Sequence, residues 1–160
     1  MLKYKSNESK TSSHFFITTD AESIHLLNFS TIEEETMLFD NDYLQENVVE
    51  MQIARVSGER EIFCKSLSNT IKTIFDNLLY KYDDFIVYTS VPVDSLKEKL
   101  IHRYIIEDDN DEFFVFRISI YDYTMFFFLN TYKTNLAEAM NGIVEFFKSE
   151  YDVDLKLNIK

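Results

Sequence analysis

The chain has 160 residues, 46% of them hydrophobic and 28% charged, with only 2 Gly and 1 Pro, which excludes disordered, collagen-like and low-complexity classes. That length predicts a single compact core. Its 16 basic and 28 acidic residues give a formal net charge of −12, so a phosphate backbone is repelled over most of the surface and general nucleic-acid binding is disfavoured. A basic protein partner is compatible with that charge, and so is an ordinary solvated surface.

A single cysteine, Cys64, cannot form an internal disulfide, and the N-terminal segment Met1 to Glu8 lacks an apolar signal region. These features predict an intracellular, cytoplasmic protein. The densest apolar run, Met125 to Leu129, is far short of the roughly 20 residues a membrane-spanning helix needs.

In chain order, residues 1–13 read as a flexible leader, because Lys5 to Ser13 is polar and aperiodic, and a single α/β domain is expected over 14–160. His14 to Thr19 and Ser23 to Phe29 are β-prone runs around Asp20-Ala21-Glu22, the pattern of a hairpin. Thr31 to Asn47 fits a loop or a short helix. Val48 to Val56 resumes as a strand and stops at Ser57-Gly58.

From Glu61 the period changes. Phe63, Leu67, Ile71, Ile74, Phe75, Leu78, Leu79 and Tyr82 form one helical stripe, ended by Asp83-Asp84. Phe85 to Thr89 is a compact strand before Pro92. Ser95 and Glu98 have capping-box spacing ahead of a helix on which Leu96, Leu100 and Tyr104 share a face. After the acidic connector Glu107 to Glu112, the aromatic runs Phe113 to Ile120 and Thr124 to Tyr132 predict a hairpin. Met125 to Leu129 is apolar at every position, so its strand should be covered on both faces. A last helix begins near Asn135 and buries Leu136, Met140, Ile143, Val144, Phe147 and Tyr151, with Gly142 as a local weakness. Val153 to Ile159 alternates like a half-buried terminal strand. The expected fold is therefore a mixed, largely antiparallel sheet packed by two or three helices.

One loop has the placement for cofactor chemistry. Arg55-Val56-Ser57-Gly58-Glu59-Arg60 lies between a strand and the long helix, where free amides and the helix dipole favour a phosphate. The order of strands, this loop, a long helix, strand, helix and closing strand pair resembles the GCN5-related N-acetyltransferase fold, over roughly Phe15 to Tyr132. That family carries an Arg or Gln, two residues, Gly, one residue, then Gly or Ala at this loop. Arg55 and Gly58 match its first two positions, and Arg60 stands where the family has a small residue. The resemblance implies acetyl-CoA as cofactor, held by Arg55, Ser57, Gly58, Glu59 and Arg60, with Tyr104 as the acid that protonates the departing thiolate. A packing role for Tyr104 stands beside that reading. Glu50 or Glu59 would serve as base. The stretch from Glu59 through Asn69-Thr70-Ile71 to His102-Arg103 also looks like a bacterial family of unassigned function that is a degenerate relative of this fold.

Other chemistries are poorly served. His14, His25 and His102 have no metal-ligand spacing with Cys64, which sits between Phe63 and Lys65 like a small buried hydrophobe. Asp108-Asp109-Asn110-Asp111-Glu112 fails as an EF-hand, because Phe113 occupies the glycine position and Ser119 the position of the bidentate Glu. Glu33-Glu34-Glu35 reads as an exposed charge run. The 15 Phe and 10 Tyr lack the interleaved Lys and Arg of stacking modules and point to core and to a subunit interface. The function expected is a non-catalytic interaction protein of acetyltransferase-like fold, without a cofactor, binding a protein partner or forming a homodimer. The alternatives are a CoA-dependent N-acyltransferase and an acidic antitoxin or anti-defence protein that occupies a basic site.

Overall fold

A computed structural model describes residues 1–32, 41–58, 65–106 and 113–155, apart from the Tyr104 side chain. Among them the chain forms β1 (Tyr4–Asn7), β2 (Ser12–Thr18), β3 (Ile24–Thr31), α1 (Asp42–Asn47), β4 (Val48–Ser57), α2 (Lys65–Lys81) and β5 (Ile86–Pro92). It continues with α3 (Leu96–Ile101), a π-helical turn at His102–Ile106, β6 (Phe113–Ile120), β7 (Tyr123–Asn130) and α4 (Leu136–Tyr151). The strands make one seven-stranded sheet in the order β1-β2-β3-β4-β5-β7-β6. Every neighbouring pair is antiparallel except β4 and β5.

Alternation along the strands sorts the core into two layers. Phe15, Leu27, Phe29, Val49 and Met51 point to one face, where Leu67, Ile71, Ile74, Phe75 and Leu78 of α2 cover them. Val48, Ile86, Tyr88, Phe127 and Leu129 point to the other face, under Met140, Ile143 and Phe147 of α4. β7 lies between β5 and β6 with helices above and below, and residues 124–130 are all buried, as their unbroken apolar run requires.

The polar run expected as a leader is instead the edge of the sheet. Tyr4 to Asn7 pairs with Ile17 to His14 of β2, and Leu2 donates its N–H to Thr70 Oγ1 of α2 at 3.0 Å. Tyr4 also packs edge-on against Phe15, with ring centroids 5.8 Å apart. β1 owes its place to these tertiary partners, because its own sequence has no apolar alternation.

Two further expectations change. Leu96 is 70% exposed, and Glu98 and Ile101 are the buried residues of α3, because the helix ends after six residues and the π-helical turn shifts the facing positions that follow. Gly142 is a packing requirement: a Cβ there would lie 2.7 Å from Leu44 Cγ, so α1 reaches α4 only over a glycine. Phe63, Cys64, Glu33 to Glu35 and the acidic connector 107–112 lie outside the described residues. Of the expected terminal strand, Val153 and Leu155 pack against the α4 core but form no strand, and 156–160 lie outside the described residues. No described helix is long and apolar enough to cross a membrane.

Candidate functional site

The parallel contact between β4 and β5 is three rungs long: Val48 faces Ile86, Val49 faces Val87 and Glu50 faces Tyr88. β4 then follows β3 as far as Ser57, through a register shift at Ile24/His25, while β5 follows β7 as far as Pro92. The two strands therefore part company beyond Glu50 and Tyr88 and leave a wedge in the middle of the sheet. At its apex the Thr89 hydroxyl donates to the Met51 carbonyl at 3.2 Å and so satisfies one backbone acceptor that the ladder no longer reaches.

Two titratable side chains stand on the same face at the last rung. Tyr88 is 4% exposed and packs on Phe127 at 5.1 Å between ring centroids. Burial pushes its phenol up to about 12, a hydrogen bond with Ser90 works in the opposite direction, and the charges of Tyr151 and Glu50 add to the rise. Tyr88 is thus a protonated phenol at neutral pH. Glu50 is half-buried, and Gln52 Nε2 reaches its Oε1 at 3.5 Å. A carboxylate beside a phenol can accept a proton from one group and offer one to another.

The far end of β4 carries the first part of the expected phosphate loop. Arg55 is exposed and sits opposite His25, and Ser57 is exposed and sits opposite Ile24. Gly58 has φ +93°, and a Cβ there would fall 2.6 Å from Ser23 Oγ, so the turn leaving β4 is pressed against the β2–β3 turn. Only glycine meets both conditions. Glu59 and Arg60 lie outside the described residues, and so does the Tyr104 side chain, whose backbone belongs to the π-helical turn after α3. Arg55, Ser57 and Gly58 are therefore together at the open end of the wedge, whereas Glu50 is at its apex, seven residues below Ser57 on the same strand. Glu50 was legible as a candidate base; Tyr88 was not, because only the register of a parallel pair brings the two together.

Among the described residues no group of three or more His, Cys, Asp or Glu side chains could hold a metal ion. No protein-family model matches the chain, and comparison with curated proteins and with solved structures finds no match.

Proposed function

We propose that this chain is a non-catalytic interaction protein built on an acetyltransferase-like sheet. The observation that carries the proposal is a sheet face without helical cover: α4 packs over β5, β7 and β6, and the corresponding face of β2, β3 and the outer part of β4 has no counterpart among the described helices. Phe16, at 44% exposed, stands on that face. An exposed apolar sheet surface is more readily accounted for by a partner than by folding. The element order on which the acetyltransferase resemblance rests is present as β4, α2, β5, α3, β6 and β7.

A second reading, CoA-dependent N-acyl transfer, is favoured by the Glu50–Tyr88 pair at the apex of the wedge. In it an amine, relieved of its proton by Glu50, attacks the thioester carbonyl; the carbon–sulfur bond breaks, and the thiolate takes a proton from Tyr104, as the resemblance implies, or from Tyr88. Arg55 and the Gly58 amide would meet the cofactor phosphates.

The thermal midpoint with and without excess acetyl-CoA separates the two. A ligand that binds only the folded state at a hundred times its Kd adds about 2.7 kcal/mol of stability. The interaction reading expects no shift. An upward shift that Arg55→Glu abolishes overturns it, and Glu50→Gln should then slow acetylation of an amine by roughly 100-fold or more.

A further inference from the structure

We infer that the open face of β1 to β4 binds a second copy of this chain, sheet face to sheet face about a two-fold axis; the inference rests on the interaction reading and names its partner. Alternation places Phe16, Leu26 and Ala54 in a row across β2, β3 and β4, since Phe16 pairs with Leu26 and Leu26 with Ala54. Ile24 precedes Leu26 on the same side, and Asn28 and Gln52 pair beside the row. The opposite face of these strands is the one packed by α2. The apolar centre is open to solvent, because Phe16 is 44% exposed, Ala54 is exposed and Leu26 is half-buried.

Charge selects the occupant. β2, β3 and β4, of 7, 8 and 10 residues, contain one acidic residue, Glu50, in a chain that holds 28. Two molecules each carrying −12 repel wherever their acidic surfaces meet, and this face is where they can touch without that cost. Its two charges are of opposite sign and on opposite borders, Lys5 on β1 and Glu50 on β4. A two-fold axis parallel to the strands lays β1 of one copy over β4 of the other, so Lys5 stands over Ala54, while Glu50, four residues away along β4, lies beyond the end of β1, and neither meets a like charge. A strongly basic partner would instead seek the acidic surfaces and leave this face bare.

Size sets the strength. Four strands about 4.8 Å apart and about seven residues long cover roughly 15 by 23 Å in plan, about 700 Å² for the two copies together, which is below the size of stable specific interfaces and fits a weak, reversible dimer. Sedimentation velocity from about 1 to about 300 µM brackets the dissociation range of such an interface. The expected result is a mass that rises with concentration toward twice the chain's 19.0 kDa. Phe16→Glu, which drives a carboxylate into the apolar centre, and Ala54→Lys, which sets a cation over Lys5 of the other copy, should each weaken association by at least about tenfold, with the thermal midpoint of the dilute monomer unchanged. Tyr132→Ser, at an 80% exposed position on the loop after β7, should dimerise like the parent. Should Phe16→Glu fail to fold, the exposed Ala54 and Gln52 positions decide alone.

A parent chain that stays monomeric throughout overturns the inference. So does association that Phe16→Glu and Ala54→Lys leave intact, since the contact then lies elsewhere. The same samples tested with acetyl-CoA separate the two levels: a monomer without a thermal shift removes the dimer and leaves the interaction reading, whereas a monomer with an upward shift removes both.

Discussion

Replacing a mid-helix glycine with alanine ordinarily stabilises a helix by about 1 kcal/mol, because alanine has less backbone freedom to lose. At Gly142 the surroundings reverse the sign. An added Cβ would lie 2.7 Å from Leu44 Cγ and 3.0 Å from Asn41 Oδ1, the atom that caps α1 by accepting the Leu44 N–H. Gly142→Ala should therefore destabilise the protein by about 1–2 kcal/mol through overpacking. In a Leu44→Ala background, where only the Asn41 Oδ1 contact at 3.0 Å remains, the same change should cost at least about 1 kcal/mol less. Urea unfolding of the four-member cycle checks this, and equal effects in both backgrounds would show that the helix term alone acts. Asp84 has a comparable dependence on its neighbours. Its Oδ1 accepts from Tyr43 Oη at 2.6 Å and from the Asn135 N–H at 3.0 Å, and these bonds hold its carboxyl below the usual carboxylate range, the tyrosine first. The unfolded chain takes up the proton near pH about 4 while the folded one resists, so this stabilisation is present above that range and is lost as pH falls. Tyr43→Phe should cost about 1 kcal/mol at pH 7 and flatten the acid limb of the stability curve. An unchanged acid limb would remove the Tyr43–Asp84 bond from the account.

α3 shows what holds a short element in place. Six residues are too few for a helix to persist by its own propensity, and the helix is tethered at both ends of one side chain. The Glu98 N–H donates to Ser95 Oγ at 3.2 Å, while its carboxylate accepts the Asp94 N–H at 2.7 Å and the Arg117 guanidinium at 2.5 Å. The Arg117 bond comes first among the causes that hold the Glu98 carboxyl below its usual range, and it ties α3 to β6. Ser95→Ala removes a cap and should cost about 1 kcal/mol. Glu98→Gln weakens the charged tether and should cost more, about 1–3 kcal/mol. Equal losses in urea unfolding would mean that the Arg117 contact contributes nothing. The Ser95–Glu98 spacing was legible in the sequence; Arg117 as a partner was not, since it is a contact between elements. The same division runs through the fold. α2, α4 and the β6–β7 hairpin declare themselves because burial on one face imposes a period of 3.6 or 2 on the residues. β1 does not, because Tyr4, Leu2 and their partners meet only once β2 and α2 are in place. The outward face of Leu96 was hidden for a related reason: the π-helical turn breaks the period on which Leu96, Leu100 and Tyr104 were aligned. In the candidate site, Arg55 and Gly58 are close in sequence and could be read there, whereas Glu50 and Tyr88 are brought opposite each other by the register of the parallel pair β4 and β5.

For the molecule as a whole, the ruling asymmetry is between a net charge of −12 and a sheet face that carries almost none of it. Several ion pairs are of the exposed kind, such as Lys148 with Asp152 at 2.9 Å and Lys81 with Glu8 at 3.4 Å, and pairs of that kind are individually weak, unlike that of Arg117 with the buried Glu98. Self-repulsion of the surplus carboxylates should therefore outweigh them, and screening it should help the folded state. Raising salt from about 10 to about 200 mM shortens the screening length from roughly 30 to under 10 Å, so the urea midpoint at pH 7 should rise. A midpoint that falls would show that ion pairs dominate. Salt also discriminates among partners. Pairing of two neutral sheet faces becomes easier as the repulsion between their acidic flanks is screened, whereas docking of the acidic surface into a basic site becomes harder. Association that strengthens with salt and is abolished by Phe16→Glu points to the sheet face; association that weakens steeply with salt moves the interaction to the acidic surface and favours the alternative of an acidic protein that occupies a basic site.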